Sequence, residues 1–229
     1  MEATEKLFAF ASRLGKEDQV FVLGDLFDYW VGDDQIQHPY FADVAKAWQE
    51  ARGRGADLFF LGGNRDFLVG QGFSKASGMT LLSDVEVLSP FSALVTHGDL
   101  LCTEDSDYQA FRAMTRAPGW REAFLASPLA DRLLLAGKAR QASEEHLGEV
   151  SPDVADVHLD AVVGLWRAQG RPRHFIHGHT HRPGRHEHFA DGTSFMRWVL
   201  PDWQTQAGAL LFEGDSSGRG EDEPVFLWF

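Results

Sequence analysis

The stretch HFIHGHTHRPGRHEH, His174 to His188, holds six of the ten histidines in a chain of 229 residues. It begins as an apolar run and then places imidazoles at every second position: His177, His179 and His181, separated by Gly178 and Thr180. Alternate residues of a strand point the same way. Where such a strand gives way to a loop, His179 and His181 can converge on one point. Gly178 is expected to let the backbone come close and bend there. Imidazole nitrogen is the commonest protein ligand for transition metals. A histidine pair alone is weak evidence, so the reading depends on what other strand ends supply.

Three earlier segments have the same form. QVFVLGD (Gln19–Asp25), ADLFFLGGN (Ala56–Asn64) and FSALVTHGD (Phe91–Asp99) are short apolar runs that end in glycine and polar residues. Continuous runs of this length suit buried strands. Between the first two, PYFADVAKAWQEARGRG has helical spacing, with Phe41, Val44 and Trp48 on one face and Gly53 and Gly55 to stop it. Strand, helix, strand implies an α/β architecture. TSFMRWVLPDW, GALLFEGD and PVFLWF read as further strands with tight turns, and a mixed, layered sandwich is expected. Ligands gather where strands of an α/β sheet end on one edge. That edge would bring together Asp25, Asn64, His97, His179 and His181: carboxylate, amide oxygen and imidazole, a donor set for manganese, iron or zinc. A carboxylate between two cations lowers their repulsion, so Asp25 is the candidate bridge. The alternative reading of each isolated motif is a turn or a helix cap.

The composition narrows the setting. A net charge of −13 argues against a general nucleic-acid binder. With a single cysteine, Cys102, a disulfide framework is excluded and a reducing compartment is the natural reading. MEATEKLFAF carries no secretory pattern, and no stretch approaches the roughly 18 apolar residues of a membrane span. Residues 1–229 are expected to form one domain.

One segment departs from the acidic average. Tyr108 to Arg140 holds Arg112, Arg116, Arg121, Arg132, Lys138 and Arg140 against Glu122 and Asp131. Phe111, Trp120, Phe124, Leu125, Leu129, Leu133 and Leu134 are interleaved with them. The expectation is about two amphipathic helices, basic on one side and apolar on the other. Such a pair is either an ordinary solvated surface or a face that meets anionic, lipid-like material. Asp28, Asp33 and Asp34 read as supporting groups or a solvated loop, and His174, His186 and His188 as surface residues.

In order, GD, GN, H and a terminal GHTH resemble the calcineurin-like metallophosphoesterases. GDLFDYWVGDD, GNRDFLVGQGF, SGMTLL, HGDLLCTEDSDYQAFR and IHGHTHRP further resemble the UDP-2,3-diacylglucosamine hydrolases of lipid A synthesis, over most of the chain. That resemblance implies a layered β-sandwich flanked by helices, with an inserted helical cap at about residues 106–160 that receives acyl chains. It implies two manganese ions. Asp25 would bridge both; Asn64, His97 and His179 would bind one, and His181 the other. Asn64, Arg65, Asp105, Ser143 and His179 match substrate contacts of the family. The implied reaction is attack of metal-activated water on the α-phosphorus, releasing UMP and 2,3-diacylglucosamine 1-phosphate. The implied place is peripheral, on the cytoplasmic face of the inner membrane. Many members of the superfamily carry histidine where this chain has Arg65. Arginine cannot act as a general acid, but it can hold phosphate charge, which suits a phosphate leaving group.

The sequence departs from the family in two places. The family opens with a strand ending in D-x-H, which serves the metal that His181 binds, and no such motif precedes Asp25. A start methionine placed too late is the preferred reading, ahead of a fragment or the loss of one metal site. Polar or lysine contacts that follow Ser143 in the family are replaced by Leu147 and Val150. The competing functions are a phosphodiesterase or nucleotide pyrophosphatase for a soluble substrate, and a non-catalytic relic.

Overall fold

The computed structural model describes residues 2–149, 156–213 and 223–229. Its framework is two β-sheets packed face to face with helices outside both. β1 (Gln19–Leu23), β2 (Asp57–Leu61) and β3 (Thr80–Leu81) form a parallel sheet, with Gln19 opposite Asp57 and Leu23 opposite Leu61. The second sheet has the order β4-β5-β6-β8-β7, built from β4 (Val85–Leu88), β5 (Ala93–Thr96), β6 (His174–His177), β7 (Gly184–Ala190) and β8 (Thr193–Val199). β5, β6 and β8 run parallel, and β4 and β7 are antiparallel edges. β9 (Gly208–Leu211) and β10 (Val225–Trp228) make a separate hairpin pair.

Period-two alternation explains the layers. Leu58 and Phe60 of β2 face α1 (Ala3–Arg13), α2 (Pro39–Gly53) and α3 (Gln71–Ser77), where they join Trp30, Phe41, Val44, Trp48 and Phe73. Leu23 and Leu61 turn the other way and meet Ala93, Val95, Ile176 and Trp198 between the sheets. Leu94 and Phe175 then pack outward on Trp166 of α7 (Leu159–Ala168). β2, β5 and β6 are buried on both faces, which is why their sequences are continuous apolar runs. The expected face of α2, Phe41, Val44 and Trp48, is buried as read.

Two readings change. β7 was not visible in GRHEHFA, because an edge strand alternates charged residues toward solvent. It turns back to β8 at Asp191-Gly192, both with positive φ (51° and 80°), the geometry of a two-residue hairpin turn. His174, expected at the surface, is buried and accepts from Trp198 Nε1 at 3.2 Å.

Between the sheets' C-terminal ends and α7 lie three helices rather than two: α4 (Ser106–Arg116), α5 (Pro118–Ala126) and α6 (Leu129–Glu149). Lys138 and Arg140 are exposed, but Arg112, Arg116 and Arg132 do not join an outward basic face. Arg112 Nε meets Asp99 Oδ2 at 2.8 Å, and its Nη2 meets Asp84 at 2.7 Å. Arg116 Nη2 donates to the Gly63 carbonyl at 3.1 Å, with its guanidinium over the Phe67 ring. Arg132 is buried and binds Asp34 and the carbonyls of Val31 and Ser127. Acidic loops supply what these cations need, so the arginines fasten the helices. Apolar residues are exposed as well, with Leu134, Met114 and Leu135 between half and three-fifths accessible (59%, 51% and 51%). Among the described residues, no helix is long and apolar enough to cross a membrane.

Candidate active site

The four polar strand ends meet, though not on one sheet edge as expected. Asp25 and Asn64 follow β1 and β2 of the first sheet, while His97 and His179 follow β5 and β6 of the second. His97 Nε2 lies 2.9 Å from Asn64 Oδ1 and 3.2 Å from His179 Nδ1, and His179 Nδ1 lies 3.1 Å from Asn64 Oδ1. Asp25 Oδ2 stands 3.6 Å from His97 Nε2. Asp25, His97 and His179 offer ligand atoms within 4.8 Å of one another.

The donor set fits a cation. His97 Nδ1 is 2.8 Å from the Leu23 carbonyl, which can only accept, so this nitrogen carries the proton. When Nδ1 carries the ring's only proton, Nε2 presents a lone pair toward Asn64 Oδ1, itself an acceptor, beside the Asp25 carboxylate. Acceptors this close need a positive charge between them. Burial, followed by the neighbouring His97, pushes His179 down to about 4, so it is neutral and able to ligate near pH 7. The His97 contact to Leu23 also ties one sheet to the other and orients the ring.

The local backbone is strained at this point. Asp25, His179 and His181 all have positive φ (53°, 65° and 54°), a region uncommon for residues other than glycine. The expected bend at Gly178 is absent: the left-handed residues are the histidines themselves, and a Cβ on Gly178 would meet only the His97 carbonyl at 3.7 Å. Glycine is required instead where the first two loops touch. A Cβ on Gly24, whose φ is 83°, would fall 2.4 Å from the Gly63 nitrogen.

Asp66 holds those two loops together. Its carboxylate is fully buried and accepts from the backbone N–H groups of Gly63 (2.8 Å), Asp25 (3.1 Å), Leu26 (2.7 Å) and Phe27 (3.3 Å). Burial and the nearby Asp25 charge raise its pKa to about 6. Asp66 is not among the site residues read from the sequence. A carboxylate two residues after GN was the available signal.

The remaining expected residues divide. Arg65 donates its backbone N–H to Asp25 Oδ1 at 3.0 Å, and its guanidinium lies 3.2 Å from Asp28 and 3.6 Å from Asp25. It is at the site and half-exposed. His181 is exposed on the same loop as His179, outside the convergence of Asp25, His97 and His179. Asp105 is buried and caps α4, accepting from the Tyr108 N–H at 3.0 Å. Ser143 is exposed on α6. Val150 and the side chain of Leu147 lie outside the described residues.

Two contributors escaped the sequence reading. Tyr108 stacks on His179 with ring centres 6.0 Å apart, and its hydroxyl donates to Asp99 Oδ2 at 2.6 Å. Asp99, the last residue of VTHGD, is almost wholly buried. Burial alone would raise it, but His97, Arg112 and the Tyr108 hydroxyl outweigh that and hold it at about 2. Asp99 thus anchors α4 beside the imidazoles. Cys102, assigned no chemistry, is buried, and desolvation raises its thiol to about 12.

Comparison with known proteins agrees with this geometry. Residues 1–183 match the family described as calcineurin-like phosphoesterase. A UDP-2,3-diacylglucosamine hydrolase of Aromatoleum aromaticum is 42% identical over 210 residues, covering 90% of this chain and 85% of that one. Its namesake in Chromobacterium violaceum is 42% identical over 222 residues (95% and 91%), and one from Escherichia coli is 39% identical over 207 (90% and 85%).

Proposed function

The chain belongs to the calcineurin-like phosphoesterase family, and from that premise we propose that it hydrolyses the pyrophosphate bond of UDP-2,3-diacylglucosamine, releasing UMP and 2,3-diacylglucosamine 1-phosphate. The observation that carries this reading is the convergence of Asp25, Asn64, His97 and His179 in a chain about two-fifths identical to hydrolases of that name.

Asp25, Asn64, His97 and His179 would hold a divalent cation, with manganese the metal proposed. His181, exposed on the His179 loop, would serve a second. Such ions supply Lewis-acid polarisation of a phosphate and a more acidic water. The chain's own residues do the rest. Asp25 contributes the charge that keeps a cation among neutral donors. The Leu23 carbonyl fixes which nitrogen of the His97 imidazole faces inward. Arg65 stands at the rim, where its permanent charge can offset that of a leaving phosphate without donating a proton. Asp105 and Ser143 are the further substrate contacts proposed.

α4, α5 and α6 would act as a cap over the acyl chains and as the surface that rests on the cytoplasmic face of the inner membrane. This is supported by the exposed Met114, Leu134 and Leu135, with Lys138 and Arg140 exposed on the same helix α6, while Arg112, Arg116 and Arg132 are held inward.

The test is UMP release from UDP-2,3-diacylglucosamine with added manganese, by the wild-type chain and by His179→Ala. Turnover that disappears in the variant is expected. Absence of turnover in the wild type, with the metal bound, would overturn the substrate.

A further inference from the structure

Behind the His179 loop, on one face of the second sheet, lies a chain of polar contacts with no role in the reading above. His177, the last residue of β6, is fully buried. Arg197 of β8 reaches it diagonally, with Nη1 3.0 Å from His177 Nε2. The same guanidinium reaches across to β7, donating from Nε to His188 Nε2 at 3.1 Å. The carboxylate on this side, Asp156, is engaged by Arg182 at 2.5 Å, so Arg197 directs its donors at imidazoles.

An arginine has only protons to give. His177 Nε2 must therefore accept, and in the neutral ring the proton sits on Nδ1. That nitrogen is 2.9 Å from the Gly178 carbonyl, which can only accept. The same carbonyl also receives the Thr180 N–H at 2.8 Å. The neighbouring groups are fixed as well: Gly178 N–H donates to the His97 carbonyl at 2.8 Å, and Leu200 N–H to the His177 carbonyl at 2.7 Å. Every backbone group from the His177 carbonyl to the Gly178 carbonyl is held, and the next residue is His179 with its positive φ of 65°. The His97 loop closes on the same pair: a Cβ on Gly98 would fall 2.9 Å from His177 Nδ1 and 3.2 Å from the Gly178 carbonyl.

We propose that Arg197 and His177 are positioning residues for the metal centre. Arg197 sets the tautomer of His177, and His177 clamps the Gly178–His179 peptide so that His179 keeps its strained, inward-facing conformation. A residue without glycine's freedom adopts positive φ at a cost in free energy, so such a conformation persists only where its surroundings over-determine it. The pair supplies that determination from β6 and β8, behind the His179 loop. The inference rests on the metal-centre reading, and its test separates the two.

Manganese binding would be measured by calorimetry on the wild type, Arg197→Met and Arg197→Lys, together with melting in the absence of metal. The expected result is affinity weakened roughly tenfold or more in Arg197→Met, the usual effect of losing an outer partner of a ligating histidine. Arg197→Lys should recover part of the loss, because lysine offers His177 a proton but cannot bind His188 at the same time. A merely structural arginine would lower the metal-free melting temperature and leave affinity unchanged. Unchanged affinity in Arg197→Met overturns the inference alone. A wild type that binds no manganese overturns the centre and the inference together. If Arg197→Met does not fold, imidazole nitrogen NMR of the wild type at pH 7 decides. A protonated Nδ1 and bare Nε2 on His177 support the clamp, and the opposite tautomer overturns it.

Discussion

In the strand-end loops, short polar side chains meet their partners close to where the backbone leaves them: Asp25, Asn64, His97 and His179 all stand within 3.6 Å of a neighbour in the cluster. In α4–α6, long cationic side chains reach back over the body of the protein, to Asp84, Asp99, Gly63, Asp34 and Val31. Both regions are dense in charge, yet only the first is predictable in direction. A side chain with one or two rotatable bonds follows its backbone. An arginine can reverse its direction by rotation and settles where the tertiary structure offers acceptors.

The comparison can be broken experimentally. If the loops form a reaction centre, Asp25→Ala should cut the rate of UMP release by about a thousandfold, roughly 4 kcal/mol of barrier, with the far-ultraviolet spectrum unchanged. A variant that retains a tenth of the activity would remove Asp25 from the centre.

Asp66→Ala tests whether the loops depend on a buried support. Four backbone N–H groups lose their acceptor, and a loss of roughly 2–4 kcal/mol in denaturant unfolding is expected. A change below 1 kcal/mol would mean that water replaces the carboxylate without strain.

For the helices, Arg132→Met should cost roughly 1–3 kcal/mol, because Asp34 is partly exposed and can rehydrate. The sharper reading is where the loss falls. Amide exchange should quicken in α5 and α6 while β5 and β6 keep their protection. Uniform quickening would mean that the helices and the sandwich unfold as one unit.

The smallest effect concerns the β7–β8 turn. Asp191 is exposed and accepts from Arg167 and Arg171, whose hydrogen bonds hold its carboxyl below the usual carboxylate range, at about 2. A carboxyl with a depressed folded-state pKa stabilises above its unfolded value and loses that contribution as pH falls toward 2. Melting curves from pH 5 to 2 should therefore fall slightly more steeply in the wild type than in Asp191→Asn. Parallel curves would show that solvent screens the pairs completely.

Much of the fold was legible because burial writes itself into composition. A strand covered on both faces must be apolar throughout, and the runs ending at Asp25, Asn64, His97 and His179 could be little else. The segment from Ser106 was legible as helical, though as about two helices and not three, and its direction was not legible, since amphipathic spacing records only which residues share a face. β7 was hidden by its edge position. Asp66 and Asp99 were hidden for another reason. A buried carboxylate is recognisable only once the N–H groups or cations that neutralise it are placed around it.

By itself, the sequence determined an α/β sandwich, the order of its ligand-bearing loops and the chemical kinds of those ligands, because strand periodicity and metal preference are local properties of residue type. Only the tertiary structure decided that the ligands come from two sheets rather than one, that His179 rather than Gly178 carries the bend, and that Arg112, Arg116 and Arg132 fasten the helices instead of facing outward. Those outcomes depend on contacts between residues far apart in the chain, where the direction of a side chain is settled by what the other segments bring to it.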